Sequence, residues 1–375
     1  MGRKGGRAHN RNARDQGEKP ETLPTRDHRL KVRRRDGRNP LPDLSHHHLG
    51  YTVLLRDFEA RAPRALARAI SYAEAGQGAQ LIRHLFAKTG RATTLGLTGP
   101  PGVGKSTLSS MLVRKARSLG KSVGVISVDP SSPFSHGALL GDRIRHTEHF
   151  TDSEVFIRSM ASRGHLGGLA GATADAVLLM DAFGKDLIVI ETVGVGQSEV
   201  EIAELAQTTI VALQPGSGDS VQVLKAGILE VADIFVVNKA DHPMANQLKR
   251  EIRSMMEMLD FSGWVPELVM TQALSGEGID ELWSAIEHHI AYLHASGEIA
   301  RKRREAFTHQ VRQLAMGRLE RQLDRELQSE VVAGVDPYAA SERVLSALGM
   351  ASEEPDDEPR HARPRATVKG LHAGT

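Results

Sequence analysis

Apolar residues recur at helical spacing from Leu54 to Lys88: at Leu55, Phe58, Ala62, Leu66 and Ile70, then at Leu81 and Leu85. That spacing places them on one helix face. Gly76 and Gly78 interrupt the stretch and predict two helices. The pattern then changes. Short apolar runs alternate with helical segments: Thr94–Thr98, Ser122–Val128, Leu187–Ile190, Thr209–Leu213, Ile234–Val237 and Leu268–Thr271. Buried strands separated by helices predict an α/β fold with a mostly parallel, doubly wound sheet. The helix after Ser106 turns Leu108, Met111 and Leu112 inward and ends near Gly120. Residues 295–330 are highly charged, with a narrow apolar stripe of Phe307, Val311, Leu314, Leu319 and Leu323. Such a stripe fits docking on the body or on a second copy of the chain. A further short helix is expected over Pro337–Leu348.

Charge changes the picture at the ends. Residues 1–50 hold 13 Lys+Arg against 6 Asp+Glu, which leaves 35 against 40 in the rest. The basic balance therefore belongs to the N-terminal tail. Its Arg, Gly, Asn and Pro content predicts disorder. No aromatic precedes Tyr51, so the tail lacks platforms for stacking nucleic-acid bases, and a nucleic-acid partner is not expected. The run His46, His47 and His48 reads as polar tail. The expected organisation is a disordered basic tail over 1–50 and a helical segment over 51–90. A nucleotide-binding domain follows over 91–294, then a helical docking or dimerisation segment over 295–350 and a disordered tail over 351–375. The absence of cysteine excludes disulfides and thiolate chemistry. No apolar run reaches the ~18 residues of a membrane span, and no secretory signal is evident, so the expected location is the cytoplasm.

The chemistry begins at Gly99-Pro100-Pro101-Gly102-Val103-Gly104-Lys105-Ser106, which matches G-x-x-x-x-G-K-[ST] between a strand and a helix. The glycines let backbone N–H groups face phosphate oxygens, and the helix start adds its positive dipole end. Lys105 is placed for the β- and γ-phosphates, the Ser106 hydroxyl for magnesium and Thr107 for the α-phosphate. Acids near the metal are expected at the ends of neighbouring strands. Asp129 follows one such strand and Glu191 another, while Asp142 is a third candidate on a loop. The Gly194 N–H stands where a donor can sense the γ-phosphate. Val195 occupies the place of the glutamine that positions the attacking water in Ras-like enzymes, so slow intrinsic hydrolysis is expected.

Asn238-Lys239-Ala240-Asp241 follows an apolar strand and has the form N-K-x-D. The Asp241 carboxylate can accept from guanine N1–H and its exocyclic amine; adenine offers neither in that arrangement. Lys239 can lay its stem along the base. Backbone N–H groups of Gln272, Ala273 and Leu274 follow the next strand and are expected near guanine O6. Together the motifs describe a P-loop GTPase binding GTP or GDP with Mg2+.

The segments Asp129–His136, Gly141–Arg145, Arg163–Gly168, Glu191–Glu199 and Gly227–Asp241 resemble the methylmalonyl-CoA mutase-associated GTPases, the MeaB/ArgK group. So does Gly218-Asp219 with Gln222 and Lys225. The resemblance spans roughly residues 54–350. It implies a homodimeric chaperone that gates adenosylcobalamin delivery to an acyl-CoA mutase and protects or reactivates that enzyme. It also implies that Asp129, Asp142 and Glu191 are magnesium-site acids. Asp219, Gln222 and Lys225 would belong to a loop that relays nucleotide state to the mutase. Two departures stand out: Gln272 replaces a serine of the guanine loop, and Val223-Leu224-Lys225-Ala226 carries one basic residue fewer. A nickel-type metallochaperone GTPase is an alternative, but it predicts a Cys/His site in a chain without cysteine. His136, His146, His149 and His165 read as loop or surface histidines. A kinase acting on a transport protein is the remaining alternative.

Overall fold

The computed structural model describes residues 48–130, 147–162, 168–192, 198–216, 231–261, 263–328 and 334–350. Its strands are β1 (Thr93–Thr98), β2 (Val123–Pro130), β3 (Val155–Ser162), β4 (Leu187–Thr192), β5 (Thr208–Leu213), β6 (Ile234–Asn238) and β7 (Glu267–Thr271). The helices are α1 (His48–Glu59), α2 (Pro63–Glu74), α3 (Ala79–Leu85), α4 (Lys105–Ser118) and α5 (Gly168–Phe183). They continue with α6 (Ser198–Leu205), α7 (Ala245–Met256), α8 (Ile279–Ser296), α9 (Glu298–Leu327) and α10 (Pro337–Ala347). The strands form one sheet in the order β3-β2-β4-β1-β5-β6-β7. Every pairing is parallel, so the sheet is wholly parallel rather than mostly so.

A parallel sheet needs helices over both faces, which is why its strands read as unbroken apolar runs. β4, β5 and β6 are buried at every position. Alternate residues serve opposite faces. Leu95, Leu97, Val189, Ile210 and Val236 share a core with Leu108 and Leu112 of α4 and Leu282 and Ile286 of α8. Val211, Leu213, Phe235 and Val237 meet Leu248 and Ile252 of α7. At Gly96 on β1, a Cβ would lie 3.0 Å from the Ala206 Cβ and 3.2 Å from Ile202 Cγ2. Glycine there lets α6 approach the central strand closely.

Two expectations change. The N-terminal stretch holds three helices, because Pro63 starts α2 and Arg61 before it takes a left-handed φ of 58°. The second break falls at the predicted glycines, where Gly76 has φ 74°. β3 was not expected from the apolar pattern. It is an edge strand whose run is broken by Arg158, which pairs with Glu74 and donates to Ser71 Oγ at 3.1 Å. Of the expected tails, residues 1–47 and 351–375 lie outside the described residues, and 48–50 belong to α1. Among the described residues no helix is long and apolar enough to cross a membrane.

α9 has no buried residue and lies on the body through polar contacts and one ring contact, Phe307 with Phe86 at 6.1 Å between centroids. Lys302 Nζ donates to Gln207 O at 2.8 Å and to Asp233 Oδ2 at 2.9 Å. His309 Nδ1 stands 2.6 Å from Glu204 Oε2 on α6, and Gln310 Nε2 donates to Asp175 Oδ1 on α5 at 2.9 Å. The predicted stripe runs along it half-exposed, with Phe307 at 51% and Leu314 at 49%. Burial raises the Asp175 carboxyl to about 6. Its charged form therefore destabilises the fold above that pH, and the penalty disappears as pH falls below the unfolded value near 3.8. Asp175→Asn keeps an acceptor for Gln310 without the charge. It is expected to gain on the order of 2 kcal/mol in chemical denaturation at pH 8 and nothing at pH 3.5.

Candidate nucleotide-binding site

The C-terminal ends of β1, β4, β5, β6 and β7 open onto one edge of the sheet, the place where open parallel sheets bind ligands. The chain turns from β1 into α4 through Gly99, Gly102 and Gly104, with φ of 138°, 77° and 95°. A Cβ on Gly99 would fall 2.0 Å from the Ala212 carbonyl oxygen. One on Gly104 would fall 2.6 Å from Asn238 Nδ2. Only glycine fits at positions 99 and 104, and loops of this kind present N–H groups to anions. Val103 points the other way, into the core. Pro100 is buried, Pro101 exposed and Thr107 half-buried.

Lys105 is buried, and its Nζ donates to Gly99 O at 2.6 Å and Pro100 O at 2.9 Å. The Ser106 hydroxyl donates to Glu191 Oε1, joining the first turn of α4 to the end of β4. Glu191 is itself buried and lies beside Leu97 of β1 in the register. A hydroxyl and a carboxylate brought together offer the hard oxygen donors that suit Mg2+.

Asn238 closes β6. Its Nδ2 donates to Val103 O at 2.8 Å, and its Oδ1 accepts from Thr271 Oγ1 and Ala273 N, both at 3.1 Å. One buried carboxamide thus joins the glycine loop, β6 and the loop after β7. Lys239 has φ 58°, and its Nζ donates to Gly102 O at 3.0 Å and to Gln214 Oε1. Asp241 stands exposed in the following turn, which the Ala240 N–H holds to Thr271 O at 3.0 Å.

A family model described as Methylmalonyl Co-A mutase-associated GTPase MeaB matches residues 66–328. The chain belongs to the MeaB family of P-loop GTPases. A Pyrococcus horikoshii protein named for GTPase activity is 44% identical over 298 residues, covering 76% of this chain and 94% of that protein. The mouse methylmalonic aciduria type A homolog, a mitochondrial protein, is 39% identical over 214 residues, covering 56% and 52%. A crystal structure named as an LAO/AO transport system kinase shares the fold, with TM-score 0.60 and 25% identity over 81% of this chain and 99% of that one.

Asp142, Gly194, Val195, Asp219, Gln222 and Lys225 lie outside the described residues, as do His46, His47, His136, His146 and His165. Asp129 is on β2, paired with Ala161, and its side chain is likewise not described. The guanine loop differs in detail. Gln272 N donates to Glu277 O at 3.0 Å and Ala273 N to Asn238, so those N–H groups serve the fold. Leu274, 90% exposed, is the remaining candidate donor to the base. His149 is not a surface histidine. It is buried against α4, with Nε2 2.9 Å from Ser110 Oγ. Gln214 went unrecognised as a site residue, and the bond from the Thr271 side chain to Asn238 was not expected. Each of these two is a single polar residue at the end of an apolar run, and no motif marks it.

Proposed function

We propose that this chain binds GTP and GDP with Mg2+, hydrolyses GTP slowly, and acts in the cytoplasm as a homodimeric chaperone. Its client is an adenosylcobalamin-dependent, methylmalonyl-CoA-type acyl-CoA mutase, whose cofactor loading it gates and which it protects and reactivates. The observation carrying the nucleotide reading is the Asn238 carboxamide, which locks N-K-x-D to the glycine loop through Val103 O at 2.8 Å. The glycine loop and the N-K-x-D turn are thereby held at one spacing.

In this reading, Gly99–Gly104 and Thr107 hold the phosphates, and Lys105 neutralises the β- and γ-groups. Asp241 accepts from guanine N1–H and its amine, and Leu274 N–H faces O6. Ser106, Asp129, Asp142 and Glu191 hold the metal, which supplies charge neutralisation at the phosphates when bound. Gly194 N–H senses the γ-phosphate, and Asp219, Gln222 and Lys225 pass that state to the mutase. The exposed α9 stripe is the dimer surface. The mutase partner is supported by the family's mutase association and by the mouse relative's name.

Affinity capture on the tagged full-length chain, with GTP or with GDP, is expected to recover a cobalamin-dependent mutase in a nucleotide-dependent amount. Recovery of no mutase in either state would sink the chaperone reading. The structural neighbour named as a transport system kinase favours a second reading, phosphoryl transfer to a protein. With γ-labelled GTP, label retained on a protein rather than released as phosphate would support that one instead.

A further inference from the structure

We propose that Gln214 is a positioning residue of the guanine pocket: it pins the Lys239 side chain so that its methylene stem forms a fixed wall for the base. The proposal rests on the guanine-nucleotide reading above.

Lys239 departs from ordinary backbone geometry. A residue with a Cβ loses roughly 1–2 kcal/mol in the left-handed region, yet Lys239 sits there at φ 58°. That turn comes directly after β6 and sends the side chain back over the glycine loop. Its amine has two acceptors on two other segments, Gly102 O at 3.0 Å and Gln214 Oε1. An exposed lysine otherwise samples many rotamers, and ordering one costs about 2 kcal/mol. With Cα fixed by the turn and Nζ by two acceptors, the four methylenes between them have one course. Long cationic side chains cover apolar surface in this way, and a planar base is such a surface.

Gln214 is itself held in place. It follows Leu213, the last residue of β5, is half-buried, and is followed by buried Pro215. A Cβ on Gly102 would lie 3.9 Å from its Nε2, so the amide rests against the glycine loop. Its neutrality has a consequence. It orients the ammonium without cancelling a charge that also serves the nucleotide. An acid at this place would hold the lysine and partly neutralise it.

Binding of fluorescent GDP and of a non-hydrolysable GTP analogue tests this in the full chain. Gln214→Leu is expected to weaken both nucleotides equally, by about three- to tenfold, through faster release. The kcat at saturating GTP should stay within about twofold, because the base wall does not touch the γ-phosphate. Gln214→Asn places its acceptor one methylene short of Lys239 and should match Gln214→Leu. Gln214→Glu reaches Lys239 but partly neutralises it, and should bind more tightly than Gln214→Leu and more weakly than the wild type. In a Lys239→Met background, Gln214→Leu should add less than about twofold. Additive losses in that double variant would show a merely structural role and overturn the proposal, as would a Gln214→Asn protein that binds like the wild type. A wild-type chain that binds neither nucleotide overturns the guanine reading itself. Wild-type binding left unmoved by Gln214→Leu overturns this inference alone.

Discussion

Lys105→Ala is expected to weaken GDP and GTP binding by at least roughly a hundredfold and to remove measurable hydrolysis, with the fold retained. The amine is buried and is held by two loop carbonyls, Gly99 O at 2.6 Å and Pro100 O at 2.9 Å. It is thus positioned at the base of the loop. Charge-assisted hydrogen bonds contribute about 1.5–3 kcal/mol each, and losing two of them to the phosphates gives the stated factor. The rest of α4 is anchored independently. Leu108, Leu112 and Val113 are buried in the main core, so circular dichroism and melting should show an intact protein. Calorimetric titration with GDP is the check. A loss of tenfold or less would mean that the glycine loop and helix dipole carry the phosphates without the lysine.

The architecture was legible in the sequence where burial is complete. β4, β5 and β6 have both faces covered, so their apolar runs announced them. β3 did not announce itself, because an edge strand tolerates Arg158 where an interior one would not. The break before Pro63 was legible in principle, since proline fits the first turn of a helix and ends the one before it. At the site, motif residues with a fixed chemical task could be named from spacing alone. Residues that act by holding another residue could not. Gln214, Thr271 and His149 have partners 25, 33 and 39 positions away in the chain, at Lys239, Asn238 and Ser110. Such pairs exist only once the sheet has brought its strand ends together. The same holds for the guanine loop. That Ala273 N serves Asn238 rather than the base follows from the register of β6 with β7, which sets Asn238 opposite Thr271.

Asp241→Asn should exchange guanine preference for xanthine preference. Asp241 is exposed in the turn after β6, outside the network that Asn238 makes with Val103, Thr271 and Ala273, so the change alters recognition and not the scaffold. A carboxylate is acceptor-only, and guanine offers it two donors, N1–H and the exocyclic amine. Xanthine keeps N1–H but carries a carbonyl at the second place, which a carboxylate repels. An amide reverses that fit: Oδ1 still accepts from N1–H while Nδ2 donates to the carbonyl. Against guanine, the same Nδ2 meets a second donor and one hydrogen bond becomes a repulsion. A loss of about 3 kcal/mol for GTP corresponds to roughly a hundredfold. A gain of about tenfold for XTP then moves the preference ratio by roughly a thousandfold. Competition of unlabelled GTP, XTP and ATP against fluorescent GDP or XDP measures the ratio directly. Xanthine binding that stays weak would show that Asp241 does not read the base edge. ATP is expected to bind neither protein: on the proposed reading its amino group would meet the Leu274 N–H where guanine presents O6.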